Sequence, residues 1–183
     1  DQSNEVLFEL LEEINELYES SEQTLLELEL KPDDKELQND LFRSVHTIKG
    51  DLGIVCFDPM IPLLQHIEDL LHYLRNDEII YTSIMSDLVL LAMDKVINFV
   101  ENCINNGETQ YDDILFAQLI SKIECITPTN STQHEQLLIN AVLLLDPSLA
   151  TNIHYQTHAV ADVKKASEKA EKQVEIVRKA IGL

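Results

Sequence analysis

Apolar residues recur at every third or fourth position through five successive stretches of this sequence, and short runs of proline, aspartate, asparagine and glycine interrupt the pattern between them. A period near 3.6, held over stretches longer than an ordinary strand, is the mark of amphipathic helices packed on one another. The first stretch covers 4–30, with Val6, Leu7, Leu10, Leu11, Ile14, Leu17 and Tyr18 on one face and acidic residues on the other. Lys31-Pro32-Asp33-Asp34 stops it, and Asp33 or Asp34 is placed to cap a second helix over 35–55, whose stripe is Leu41, Val45, Ile48, Leu52 and Val55. After Phe57-Asp58-Pro59, with Asp58 as its cap, a third helix is expected over 59–76 on Ile61, Leu63, Leu64, Ile67, Leu70, Leu71 and Leu74. Pro59 and Pro62 are tolerated there because first-turn N–H groups have no helical partner. Asn76-Asp77-Glu78 separates it from a fourth helix over 82–105, carrying Ile84, Leu88, Leu91, Val96, Phe99, Val100 and Ile104 and stopped by Asn105-Asn106-Gly107. A fifth, over 111–126, carries Ile114, Leu115, Leu119, Ile120 and Ile123.

With four glycines and five prolines in 183 residues, the chain is poor in the turns a sheet consumes. The expected fold is therefore all-α: an up-and-down four-helix bundle with an additional helix, followed by a C-terminal helical extension. Thr127-Pro128-Thr129-Asn130-Ser131-Thr132 reads as a linker, which divides the chain into a bundle over 1–127, a linker over 128–132 and an extension over 133–183. The extension holds a short apolar helix over 135–145, ended by Asp146-Pro147, and a helix over 155–181 rich in Ala, Lys and Glu. The weak stripe of that last helix runs through Val160, Val163, Ala170, Val174 and Val177.

A formal net charge of -20 repels phosphate backbones and anionic lipid, which argues against nucleic acid and membrane surfaces as partners. No apolar run has the length of a membrane span, and no basic segment precedes an apolar leader. Cys56, Cys103 and Cys125 are odd in number and lack Cys-x-x-Cys spacing, so they are expected as reduced, buried thiols in a cytoplasmic protein. A chain that opens on Asp1 is expected to be an excerpt of a longer one.

The second helix carries the chemistry. At about 100° per residue, its apolar stripe centres about 140° from His46, which therefore faces solvent. Lys49, Gly50 and Gly53 fall within about 60° of His46, on its own face. Each glycine costs about 0.5–1 kcal/mol inside a helix relative to alanine, so the pair implies close approach of another molecule. A neutral imidazole is a competent nucleophile, and the Lys49 ammonium one turn along can hold an anionic phosphoryl group. A lone surface histidine near a lysine is ordinarily no more than solvated surface; the glycines and the surrounding string set this one apart.

That string, Leu41-Phe42-Arg43-Ser44-Val45-His46-Thr47-Ile48-Lys49-Gly50-Asp51-Leu52-Gly53, resembles the signature of histidine phosphotransfer (HPt) domains, above all the phospho-accepting domain of bacterial chemotaxis histidine kinases. The resemblance continues through Phe57 and Leu64-Gln65-His66-Ile67-Glu68-Asp69-Leu70-Leu71 and covers roughly 4–126. It implies that His46 is the phosphorylated residue, that Lys49 stands beside the phosphoryl group, and that Gly50 and Gly53 make room for a docking partner. It also implies that Glu68 bonds the ring and sets its tautomer. The implied function is a phosphorelay carrier rather than an enzyme, serving a histidine kinase and receiver (response-regulator) domains, with Mg²⁺ and most catalytic groups supplied by the partner and no cofactor of its own. Gln65 stands where such domains commonly carry a second histidine, Asp51 where they carry a small residue, and Cys56 where many carry glycine.

Two other readings compete. One reads the chain as a piece of a full kinase whose ATP-binding domain lies elsewhere, the other as a helical module that binds a receiver or partner helix without being phosphorylated. His154, His158 and Asp162 share one helix face at metal-ligand spacing, but an i, i+4 pair is more often an ordinary polar face, and no metal site is assigned. No glycine-rich phosphate loop is present, and Ser44 and Thr47 have no acid partner for a hydrolytic triad.

Overall fold

The structure, a computed structural model, describes residues 2–55 and 57–182, without the side chains of residues 2, 3, 131 and 157–167. Its described residues form seven α-helices and no strand: α1 Gln2–Leu30, α2 Lys35–Ile54, α3 Ile61–Arg75, α4 Ser83–Asn106, α5 Asp113–Glu124, α6 His134–Leu145 and α7 Ile153–Ala180. Short 3-10 segments lie at Asp58–Met60, Pro128–Gln133 and Pro147–Thr151. The all-α class and the helix order match the sequence expectation, with ends displaced by at most two residues. No described helix is long and apolar enough to cross a membrane.

Helices α1–α4 close into the bundle: α2 packs between α1 and α3, and α4 returns against α1. Side-chain bridges give the direction. Lys35 at the start of α2 donates to the Arg75 carbonyl at the end of α3 at 2.9 Å, and Lys49 further along α2 donates to Gln65 near the start of α3. Numbers rising on one helix meet numbers falling on the other, so α2 and α3 are antiparallel, as their short connection requires. The Tyr81 hydroxyl, just before α4, donates to the Leu25 carbonyl near the end of α1 at 3.1 Å. Leu41, Val45, Ile48 and Leu52 of α2 and Leu63, Leu64, Ile67, Leu70 and Leu71 of α3 are buried, as their period demands.

Asp34 is the α2 cap, its carboxylate accepting from the Leu37 N–H at 3.1 Å, and Gly107 ends α4 at φ +63° in the left-handed region. Asp58, expected as the α3 cap, instead lies inside the 3-10 turn, and α3 has no side-chain cap. Val6 and Ile114, expected in the apolar stripes, are exposed near the starts of their helices, and Phe116 is buried in place of Ile114. Cys103 is half-buried and Cys125 exposed, both free thiols, against the expectation of buried ones; both lie at the ends of amphipathic helices, where little covers them. Cys56 falls outside the described residues.

The expected break over 128–132 is not a boundary between compact units. Residues 1–146 cluster as one unit and residues 147–183 as a second. The polar string folds into a turn in which the Thr127 N–H donates to the Asn130 side chain at 3.0 Å, and α6 then packs across α4 and α5. The cause is composition: Leu138, Ile139, Ala141, Val142 and Leu145 are buried, more apolar surface than an isolated helix of twelve residues leaves to water. In the second unit, Val174 and Val177 of α7 are exposed, whereas the side chains of Val160 and Val163 are outside the described set.

Candidate functional site

With its apolar stripe turned inward, α2 leaves His46 outward, its side chain 62% exposed. The antiparallel register sets Glu68 of α3 opposite it, and His46 Nδ1 lies 3.1 Å from Glu68 Oε1. Lys49, one turn on, reaches the other oxygen: Nζ is 2.6 Å from Oε2. Glu68 is only 12% exposed at its side chain and Lys49 19%, so a mostly buried carboxylate is shared between an imidazole and an ammonium. Burial pushes the Glu68 carboxyl up, but hydrogen bonds from Lys49 and His46 and their charges outweigh it and hold the carboxyl below its ordinary value.

An ionised carboxylate accepts, so the ring nitrogen facing it carries the proton: Nδ1–H donates to Glu68. Nε2 then bears the lone pair, on a side chain that is mostly exposed. The neighbouring glycines have no internal reason to be glycine. A Cβ on Gly50 would meet nothing within 4 Å, and one on Gly53 only Ile61 Cδ1 at 3.9 Å. Their cost to the helix is not offset by packing within the chain.

Gln65 completes the cluster. Lys49 Nζ donates to Gln65 Oε1 at 2.8 Å, and Gln65 Nε2 donates to Asp69 Oδ1 at 2.9 Å. Sequence reasoning missed a further group. Phe42, one turn before His46, lies nearly parallel to its ring (8° between planes, centroids 6.1 Å apart), and the Arg75 guanidinium sits 4.1 Å from the Phe42 centroid. Arg75 also donates to His72 Nδ1 at 3.1 Å. Helical periodicity carries the signal for them: on α3, Gln65, Glu68, His72 and Arg75 fall within about 80° of one another, and on α2 Phe42 falls about 40° from His46.

The other candidates lie elsewhere. His66 faces α5, with Nε2 3.3 Å from Glu124 Oε1 and Nδ1 4.0 Å from Asp69 Oδ2. His134 Nε2 donates to the Thr127 carbonyl at 2.6 Å. Asp51, expected at the flank of α2, meets Glu13 of α1, and this carboxyl-to-carboxyl contact, with burial, pushes the Glu13 carboxyl up. The side chains of His158 and Asp162 are outside the described set, and among the described residues no three His, Cys, Asp or Glu side chains gather as a metal site would need.

A family model described as the Hpt domain matches residues 5–99. The chain is 26% identical to the chemotaxis protein CheA of Bacillus subtilis over 173 residues, covering 94% of this chain and 25% of that protein. It is 36% identical to the sensor histidine kinase CheAY of Helicobacter pylori over 94 residues, 51% of this chain and 12% of that protein. It thus spans about a quarter or less of the length of these relatives. Among solved structures it is similar to the CheA phosphotransferase domain from Thermotoga maritima (35% identity, TM-score 0.53, 56% of this chain and 97% of that one). It is also similar to a histidine phosphotransfer domain of CheA solved in solution (32% identity, TM-score 0.55, 64% and 90%).

Proposed function

This chain belongs to the Hpt domain family, and from that premise we propose that His46 is its phosphoryl acceptor and that the chain is a relay carrier in chemotaxis-type or two-component signalling. The observation that carries the reading is the shared carboxylate: Glu68 holds Nδ1–H, which leaves Nε2 as the nucleophile on a largely exposed side chain. In the forward step the Nε2 lone pair forms an N–P bond as the P–O bond to the donor breaks. The donor's electron pair leaves on ADP from a kinase or on the carboxylate of a receiver aspartyl phosphate. The reverse step passes the group to a receiver aspartate. Lys49 supplies an ammonium beside the incoming phosphoryl oxygens. Gly50 and Gly53 leave the surface beside Nε2 open to a docking domain, and Mg²⁺ comes with that partner.

The partners in this reading are a histidine kinase catalytic domain and receiver domains, with the chain as the phospho-accepting segment of a longer chemotaxis-type kinase. A cytoplasmic location fits it. The test is incubation with phosphoramidate, a small phosphoryl donor, and with a phosphorylated receiver domain. An acid-labile, alkali-stable phosphoryl group should form on the native chain and not on His46→Gln; equal labelling of both would overturn the reading.

A further inference from the structure

Resting on the reading of His46 as acceptor, we infer that Gln65, oriented by Asp69, is a positioning residue that holds the Lys49 ammonium at the point where the phosphoryl oxygens arrive. A glutamine amide has two ends of opposite character: its oxygen only accepts and its NH₂ only donates. Lys49 can only donate and the Asp69 carboxylate can only accept. The contacts at 2.8 and 2.9 Å therefore satisfy both neighbours in one orientation of the amide and in no other. Asp69 is one turn beyond Gln65 on α3, so the helix itself fixes the distance between them.

The consequence falls on Lys49. A lysine head on four methylenes anchored only by Glu68 would swing about that contact. A second anchor from the preceding turn of α3 fixes the ammonium between Oε2 of Glu68, its ion-pair partner, and Oε1 of Gln65, and leaves N–H capacity for a phosphoryl oxygen. Gln65 carries no charge, so it restrains the ammonium without neutralising it. A carboxylate at the same place would also accept from Lys49, but it would compete with the phosphoryl group for the positive charge and stand against Asp69.

That last point gives the test. Native chain, Gln65→Leu, Gln65→Glu and the double variant Gln65→Glu with Asp69→Asn are compared by two measurements. One is the rate of phosphohistidine formation at saturating phosphoramidate, in which the Nε2–P bond forms as the donor P–N bond breaks and ammonia leaves with the electron pair and a proton. The other is the ¹⁵N–¹H signal of the Lys49 ammonium without donor, which survives water exchange only when the group is held. Melting temperatures control for folding. Gln65→Leu is expected to lose the ammonium signal and to slow acceptance about tenfold, the lower end of what removing an orienting partner costs. Gln65→Glu is expected to slow it as well, by repulsion between the two carboxylates. Adding Asp69→Asn removes that repulsion and restores a donor-acceptor pair with the polarity reversed, so acceptance should rise above that of Gln65→Glu while staying below native, because the carboxylate at position 65 still competes for the ammonium charge. If Gln65→Leu keeps both signal and rate, or if the double variant is no better than Gln65→Glu, the role of Gln65 is overturned. If the native chain takes no phosphoryl group on His46, the acceptor reading falls and this inference with it, which is a different result from a native chain that labels and a Gln65→Leu that labels equally well.

Discussion

Two histidines lie against opposite faces of α3, each beside a carboxylate, and they are equipped for different work. His46, on α2, gives one nitrogen to Glu68 and keeps the other in solvent, and the carboxylate it uses is balanced by Lys49. His66, on α3 itself, turns toward α5 with its side chain 23% exposed; one nitrogen meets Glu124 and the other stands near Asp69. A histidine can be a nucleophile only if a lone pair is free and its approach is open. Exposure and the balancing Lys49 ammonium, rather than the presence of a carboxylate, separate the two rings.

The sharpest attack on that contrast is to remove each ring. His46→Gln should abolish phosphoryl acceptance from phosphoramidate or a phosphorylated receiver, whereas His66→Gln should label at a rate within about twofold of native, since it touches neither Nε2 of His46 nor the ammonium (a factor of two being about 0.4 kcal/mol of barrier). Labelling lost in both would erase the distinction.

The second attack is on the wall behind His66. Glu124 ends α5, and α5 is backed by α6. Ending the chain at Thr127 uncovers the face on which Leu138, Ile139, Val142 and Leu145 are buried, each worth roughly 1.5–3 kcal/mol as an upper limit. The melting temperature of residues 1–127 should fall by at least about 5 °C below that of residues 1–146. Below its transition, the shorter chain should still accept phosphoryl on His46, because the Glu68 and Lys49 contacts lie between α2 and α3. An unchanged melting temperature would mean that α6 adds nothing to the bundle.

The third concerns Glu68. Glu68→Ala leaves Nδ1–H without its acceptor and Lys49 without its counter-charge, and acceptance should slow about ten- to a hundredfold. Its stability effect has a definite sign with pH. Partners hold the folded carboxyl below its ordinary 4.5, so its contribution is complete above that value and is lost as pH falls through the lowered folded value. The stability difference between native and Glu68→Ala measured by urea unfolding should therefore shrink as pH drops below about 4.5.

Much of this was legible in the sequence, and the reason is periodicity. On α2 the buried Leu41, Val45, Ile48 and Leu52 fix the direction of His46, Lys49, Gly50 and Gly53 with no knowledge of the rest of the fold. Glu68 came from resemblance, since periodicity does not set the register between two helices. The misses share a cause. Asp51 is polar at the flank of its own helix, and only the packing of α1 shows that it meets Glu13. The string from Thr127 to Thr132 has the composition of a linker, yet the apolar residues after it must be covered, and tertiary burial of α6 overrides local composition. Gln65 was legible only as a departure, because whether an amide joins a network depends on which end faces which neighbour.

The smallest effect is the one most able to blur the contrast. His66 and Glu124 form a partly exposed pair at 3.3 Å, and pairs of that kind contribute about 0–1 kcal/mol. A double-mutant cycle on His66→Gln and Glu124→Gln should give a coupling under about 1 kcal/mol that shrinks when salt is raised to about 1 M. The more telling readout is transfer. Asp69 belongs to both neighbourhoods: one oxygen accepts from Gln65 at 2.9 Å, while the other is 4.0 Å from His66, beyond hydrogen-bond length. Through so long a contact, loss of the His66 ring should not reorient the Gln65 amide, and the Lys49 ammonium signal should be the same in His66→Gln as in native chain. If that signal is lost and acceptance slows with it, the gap at Asp69 closes in solution, and the two histidines belong to one network running from α2 through α3 to α5.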